Sequence, residues 1–247
     1  MALLKRHLIC TFTGLFCLLM SPGIAQTSPA PEAQFRVVSM SDVETVLFDL
    51  DKEQEVLIAS VGTFSRLYPA PKDGNVVFYK ETPNPESGLP PIKTPLAKSQ
   101  LPSQSVGPYL ILLIPNNSPN TKLKFKTVVL DHSLENFPAN TYRVYNYSKR
   151  QLAVRLAEAN LLLSTAESGS VPYPDGRKAW LKVAANDQDE GWLVVRSAPQ
   201  PVGSNTRTTV FLVDIEPSEL DPNPLGIMDR RIRERIFTDD TGMQHLR

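Results

Sequence analysis

The feature that most constrains this chain is its punctuation. Runs of four to ten apolar or alternating residues are each closed by turn residues, and no long segment keeps a helical period. In the first half the runs are residues 34–40 (QFRVVSM), 45–50, 55–60, 64–68, 76–80, 109–114 (YLILLI) and 122–131 (KLKFKTVVLD). In the second they are residues 141–147 (TYRVYNY), 151–156 (QLAVRL), 160–164, 169–173, 178–184 (KAWLKVA), 191–196 (GWLVVR) and 207–215 (RTTVFLVDI). Val, Ile, Leu, Phe and Tyr dominate them, side chains that suit a pleated, half-buried surface. Lys72-Asp73-Gly74-Asn75 and Pro174-Asp175-Gly176 are turn chemistry. The segment nearest to a helix, residues 151–163 (QLAVRLAEANLLL), begins with period-two alternation and predicts strand–turn–strand.

The same order of seven strands is legible twice. Phe35-Arg36-Val37-Val38 aligns with Tyr142-Arg143-Val144-Tyr145, Tyr68-Pro69 with Tyr173-Pro174, and VVFYK (76–80) with AWLKV (179–183). Tyr109-Leu110-Ile111-Leu112 aligns with Trp192-Leu193-Val194-Val195, and residues 127–131 with 210–214. The fold expected is therefore all-β: two tandem immunoglobulin-like β-sandwich domains arising from an internal duplication. Each core would be closed by one large aromatic, Trp180, Trp192, Phe78 or Tyr109.

The domain plan places a signal peptide at residues 1–25, a tether at 26–34, a first sandwich at 35–135, a second at 136–216 and a polar C-terminal tail at 217–247. A Pro-rich insertion at 82–108 holds seven prolines; proline lacks the amide donor of a sheet interior, so the expectation is an extended surface loop. Its Pro91–Pro95 spacing reads as incidental rather than as a PxxP ligand.

Lys5 and Arg6, an apolar stretch over residues 8–20, the helix-breaking Ser21-Pro22-Gly23 and the small-residue Gly23-Ile24-Ala25 make the tripartite pattern of a cleaved export signal. Thirteen apolar-run residues fall short of the ~20 of a spanning helix. The expected location is exported, periplasmic or secreted. Cys10 and Cys17 both lie in the signal, and Phe16 before Cys17 argues against lipidation. A chain without them has no disulfide, thiolate ligand or thiol nucleophile. Cleavage leaves 24 basic against 26 acidic residues, net −2, which does not suit a nucleic-acid surface. His132 and His245 have no metal-ligand spacing.

The block Asp131-His132-Ser133, residues 137–147 and Ala153-Val154-Arg155-Leu156 resembles secreted bacterial proteins built of tandem small β domains, a family of no established function. The resemblance spans Tyr109 to Asp214; it implies export and β architecture and assigns no functional residue.

Asn186-Asp187-Gln188-Asp189-Glu190-Gly191 is the densest acidic cluster, but it lacks the distal bidentate Glu of a Ca²⁺ loop and reads as a hairpin turn. Asp131-His132-Ser133 sets triad residue types side by side, whereas triads assemble from separated loops. Asn146-Tyr147-Ser148 and Asn116-Asn117-Ser118 match the glycosylation pattern only formally. Residues 229–237 (DRRIRERIF) are the one concentrated basic segment; as a strand they would set Ile232, Glu234 and Ile236 on one face and Arg231, Arg233 and Arg235 on the other, and the reading taken is a solvated terminal element. No catalytic, cofactor-binding or metal residue is expected, and no cofactor. The function expected is a non-catalytic binding or structural module of the envelope or extracellular space, its partner an envelope protein or polymer. The alternatives are an extracytoplasmic hydrolase with carboxylates at the inter-domain cleft and a periplasmic adaptor of an export or assembly system.

Overall fold

Alternation at period two needs a second layer to cover it, and this chain builds four layers. The structure is a computed structural model that describes residues 33–246 except 44, 51, 52, 60, 103–106, 117, 119, 177, 188, 189, 216, 217, 222, 223 and 243. The export signal and residues 26–32 of the tether lie outside the described residues.

The strands are β1 (Gln34–Ser39), β2 (Val46–Leu50), β3 (Glu53–Leu57), β4 (Tyr68–Pro69), β5 (Asn75–Thr82), β6 (Ile92–Gln100), β7 (Tyr109–Pro115) and β8 (Phe125–Asp131) in the first half. The second half has β9 (Thr141–Asn146), β10 (Leu152–Leu156), β11 (Ala159–Leu163), β12 (Ser168–Pro172), β13 (Lys178–Asp187), β14 (Gly191–Pro201), β15 (Thr206–Asp214), β16 (Ile227–Thr238) and a short β17 (Gln244–Leu246). The all-β expectation holds: no helix occurs among the described residues, and none is long and apolar enough to cross a membrane. Residues 151–163 form the β10–β11 hairpin rather than a helix.

The sheet orders are β3-β2-β5-β6, β4-β1-β7-β8, β12-β9-β15-β16-β17 and β11-β10-β13-β14. Counted from the first strand of each half, the two halves repeat one order. In each, the first strand runs parallel to the seventh: β1 beside β7, β9 beside β15. The fifth–sixth hairpin of each half carries a bulge, at Phe78/Tyr79 and at Val183/Ala184. A shared irregularity of this kind is a conserved design feature rather than a generic consequence of β pattern.

Two of the expected boundaries are corrected by these strands. The Pro-rich insertion is not all loop: β6 pairs antiparallel with β5 along its length, and Pro95 is tolerated because β6 is an edge strand and Pro95 stands at the bulge. The C-terminal segment is not a polar tail: β16 pairs with β15 over nine residues and buries Ile227, Ile232, Glu234 and Ile236, while Arg231, Arg233 and Arg235 face out. The alignment of the halves shifts accordingly. β7 corresponds to β15 and β8 to β16, not to residues 192–195 and 210–214, and β6 is the counterpart of β14.

Three apolar clusters fill the layers. Phe35, Phe48, Phe78, Tyr109 and Ile111 centre the first sandwich, and Tyr142, Val154, Leu181, Val210 and Leu212 the second. The third lies between the sandwiches, where Val38, Leu110 and Leu112 meet Tyr145, Phe211 and Ile232. β1, β7, β9 and β15 are thus covered on both faces, which explains their nearly unbroken apolar runs. Residues Glu32–Arg247 accordingly form one compact unit.

Candidate functional site

The densest polar constellation is buried between the sandwiches. β16 alternates, so Glu234 points the same way as Ile232, into the interface. Arg36 on β1 donates Nη1 to Glu234 Oε1 at 2.5 Å, and Arg207 on β15 donates Nε to Oε2 at 2.9 Å. His132 Nε2 stands 2.8 Å from Oε2, an electrostatic contact without the alignment of a hydrogen bond. The ladder registers run Phe35–Tyr109–Asp131 in one half and Tyr142–Thr208–Arg233 in the other. Arg36 is therefore the topological counterpart of Arg143, and His132 of Glu234: the two halves touch through equivalent positions of different character.

Burial alone drives the Glu234 carboxyl up, but His132, Arg207 and Arg36 together outweigh it and hold it at about 2. Burial pushes the His132 imidazole down to about 4, against the pull of Glu234, so the ring is neutral at pH 7. Its partners on the ring faces are Phe64 and Phe137, at 5.2 and 5.8 Å. Arg207 also donates to the carbonyls of His132, Ser133 and Phe137, and Arg143 to those of Asp131 and Asn136. Both guanidinium groups lie over the Phe137 ring, at 4.5 and 4.3 Å. The segment joining β8 to β9 is thereby clamped by two arginines. Asp131-His132-Ser133 belongs to this clamp, with His132 only 1% exposed.

Solvent-facing sites lie elsewhere. On the outer face of β2, β3, β5 and β6, charge is closed on itself. Lys93 Nζ lies 2.9 Å from Asp49, Tyr79 donates to Asp49, and Gln54 bridges Tyr79 and Glu81. The corresponding outer face of β10, β11, β13 and β14 is different. Read across the strands, one row is Leu162–Ala153–Ala184–Val194 and the next Asn160–Arg155–Lys182–Ser197. Trp180 opposite Pro199 lies beyond one end, and Trp192 opposite Asn186 beyond the other. Trp180 and Trp192 are 52% and 47% exposed, Leu162 60% and Val194 71%. The expectation that these tryptophans close a core is corrected. Trp180 shares strand parity with Lys178 and Lys182, and the opposite phase, Ala179, Leu181 and Val183, is the buried one. Phe78 and Tyr109 do sit in the core.

Trp180 Nε1 donates to Ser197 Oγ on the neighbouring strand at 2.7 Å, and about half of the side chain stays open to solvent. Beside it opens a cleft of about 690 Å³ bordered by Arg155, Glu158, Lys178 and Lys182. Arg155 pairs with Glu158 at 3.1 Å, whereas Lys178 and Lys182 have no carboxylate partner among the described residues. A larger cleft of about 810 Å³ lies between β3 and β4, where Arg66 is already matched by Glu55 and stacked on Tyr68 at 4.8 Å. A third, of about 550 Å³, lies along β16 between residues 232–235 and the segment from Thr63 to Leu67, and Arg36 and Glu234 of the buried cluster border it.

The remaining flagged residues have structural settings. Asp187 and Glu190 belong to the β13–β14 hairpin, where Glu190 N–H donates to the Asp187 carboxylate at 3.1 Å; Gln188 and Asp189 lie outside the described residues. Asn146 is fully buried and donates to the Arg150 and Leu163 carbonyls, so its amide is inaccessible to glycosylation in the folded chain. Of Asn116-Asn117-Ser118, Asn117 lies outside the described residues. His245 pairs with Asp239 at the β16–β17 turn. The geometry defines an all-β protein of two sandwiches that repeat one strand order and share an ionic, apolar interface. In comparison with known proteins, the chain matches no family model and no curated protein.

Proposed function

We propose that this chain is an exported, non-catalytic binding or structural module of the envelope or extracellular space, built from two immunoglobulin-like sandwiches. The observation that carries the reading is the contrast between its equivalent outer faces. One carries a polar network centred on Asp49, Tyr79 and Lys93, with aliphatic rather than aromatic side chains, such as Val56 and Val77, exposed beside it. The other exposes two tryptophans, one toward each end, with Leu162 and Val194 between them. Soluble surfaces rarely keep such a patch without a use for it. The hydrolase alternative calls for facing acids with raised pKa values. The shifted carboxylates here, Asp49, Asp73, Asp131, Asp214 and Glu234, all lie below their ordinary values, which supports the non-catalytic reading.

A second reading, the adaptor, draws on β16. Its outer edge is unpaired from Ile227 to Arg235 among the described residues, and an extended segment of a protein partner could add to it beside Arg233 and Arg235. One experiment separates the readings. The chain is immobilised and incubated with solubilised envelope extract, and retained polymer and protein are quantified alongside hydrolysis of the retained polymer. Saturable retention without hydrolysis is expected; hydrolysis would turn the reading to the enzyme, and retention lost on an Ile232→Pro substitution, but not on changes at the tryptophans, to strand addition.

A further inference from the structure

We infer that the outer face of β10, β11, β13 and β14 binds a strand of uronate polysaccharide, a chain of pyranose rings carrying carboxylates; this rests on the binding-module reading and names its partner. The ring face of Trp180 is the first element. A half-exposed indole whose Nε1–H is already satisfied by Ser197 offers solvent an apolar surface on which a pyranose ring can stack. Charge is the second. Lys178, Lys182 and Arg155 surround the cleft against a single carboxylate, Glu158, so the Trp180 end of the face is cationic, while the Trp192 end adjoins Asp187 and Glu190 of the β13–β14 hairpin and would be met by hydroxyls rather than carboxylates. Neutral hydrogen-bonding groups are the third: Asn160, Asn186 and Ser197 lie in the same rows as the cations and the tryptophans and suit ring hydroxyls.

The length of the face sets the length of the ligand. Asn186, the cross-strand partner of Trp192, is six residues beyond Trp180 on β13, about 20 Å at the rise of a β-strand, so the two indoles mark the ends of a tract several rings long. A nucleic acid would stack on the same rings, but it calls for a long basic stripe, and this face has three cations. A membrane would be met by tryptophans that keep Nε1 free for headgroups at a protruding rim, whereas Trp180 is bonded and sits on the flat of a sheet.

The chain contains two tryptophans, both on this face, so its intrinsic fluorescence reports directly on the proposed site. The full chain is titrated with polygalacturonate oligomers of increasing length, with dextran, oligo-dT and phosphatidylglycerol vesicles as the comparison ligands. A saturable emission change with polygalacturonate, weakened by salt, is expected. Trp180→Ala should lower affinity about tenfold, the value of one stacked ring contact, and Trp180→Phe should restore most of it. Lys178→Glu with Lys182→Glu should weaken binding and flatten its salt dependence. Trp192→Ala should weaken only oligomers long enough to reach it. An unchanged affinity in Trp180→Ala, or an equal or stronger response to dextran, oligo-dT or vesicles, overturns the inference. If polygalacturonate fails while envelope material is still retained, the partner class is wrong and the module reading stands; if retention is absent as well, both fall. Circular dichroism of each variant should match the parent, because both side chains are exposed.

Discussion

Glu234 is held by the charges of Arg36 and Arg207 and stands against the neutral His132 imidazole, and its side chain is only 4% exposed, so water is a poor substitute for any of the three. Removing one partner of a buried ionic group leaves the others uncompensated. Glu234→Gln should therefore destabilise the chain by about 3–5 kcal/mol, measured by urea unfolding. Acid should do the same in two stages. The neutral His132 imidazole, held near 4, takes up its proton more readily in the unfolded chain. Its contribution is complete above pH ~6.5 and is lost as pH falls toward 4. Glu234, held near 2, contributes fully above its ordinary value and loses that contribution as pH falls toward 2. Each stage is on the order of 3 kcal/mol, and His132→Gln should abolish the upper one and shrink the lower, which Arg207 and Arg36 then sustain. A stability flat between pH 6.5 and 4 would contradict this assignment. The aromatic residues give a complementary test. Phe78→Ala opens the first core and should cost about 3–5 kcal/mol, while Trp180→Ala should stay within about 0.5 kcal/mol. The sequence held the clue to that difference, since Lys178 and Lys182 flank Trp180 at the same parity; the alternating apolar residues of KAWLKVA made the other phase easy to overlook.

At the level of elements, the strand pattern was legible and the count misled. Seven runs stand out in each half, but the strand missing from view is the sixth in the first half and the eighth in the second. β6 buries only Ala97 and Ser99 and contains Pro95, so hydrophobic periodicity is faint there. β16 hides its apolar face behind four arginines, and its alternation of Ile232, Glu234 and Ile236 becomes meaningful only when a second layer is present to receive it. Because the two omissions fall at different places, the repeat slipped by one strand beyond its midpoint. The buried cluster was illegible for a related reason: Arg36, His132, Arg207 and Glu234 lie far apart in the chain, and only the stacking of the sandwiches brings them together. A truncation tests the status of β16. Ending the chain at residue 226 removes Ile227, Ile232, Ile236 and Glu234 and exposes the face of β15 beneath them. The shortened chain should lack cooperative thermal unfolding by circular dichroism, whereas a dispensable tail would leave the transition unchanged.

For the molecule as a whole, the interface between the sandwiches resembles an interior more than a contact between neighbours. Val38, Leu110, Leu112, Tyr145 and Phe211 are as buried there as residues at the centre of either sandwich, and the charges admitted are bonded: those that meet at Glu234, Arg143 on the Tyr145 hydroxyl and Arg230 on the Met40 carbonyl. A linkage between independent domains would be smaller and more polar, and it would leave the two free to unfold separately. Here separating the halves exposes one continuous apolar face on each, besides stranding Arg36 in one and Glu234 in the other. The intact chain should therefore unfold in a single calorimetric transition, with van't Hoff and calorimetric enthalpies equal. Residues 33–135 and 136–247 expressed apart should each aggregate or self-associate, and co-expressed they should purify as a one-to-one complex that Glu234→Gln in the second piece weakens. Two separate transitions, or monodisperse, stably folded single halves, would show that the middle cluster is a contact surface and not a third core. The repeated topology gives this outcome a physical sense: two sandwiches of one strand order, meeting through equivalent strands, bury the same face twice, and the Arg36–Glu234 ion pair across that face is one that only the joined chain can make.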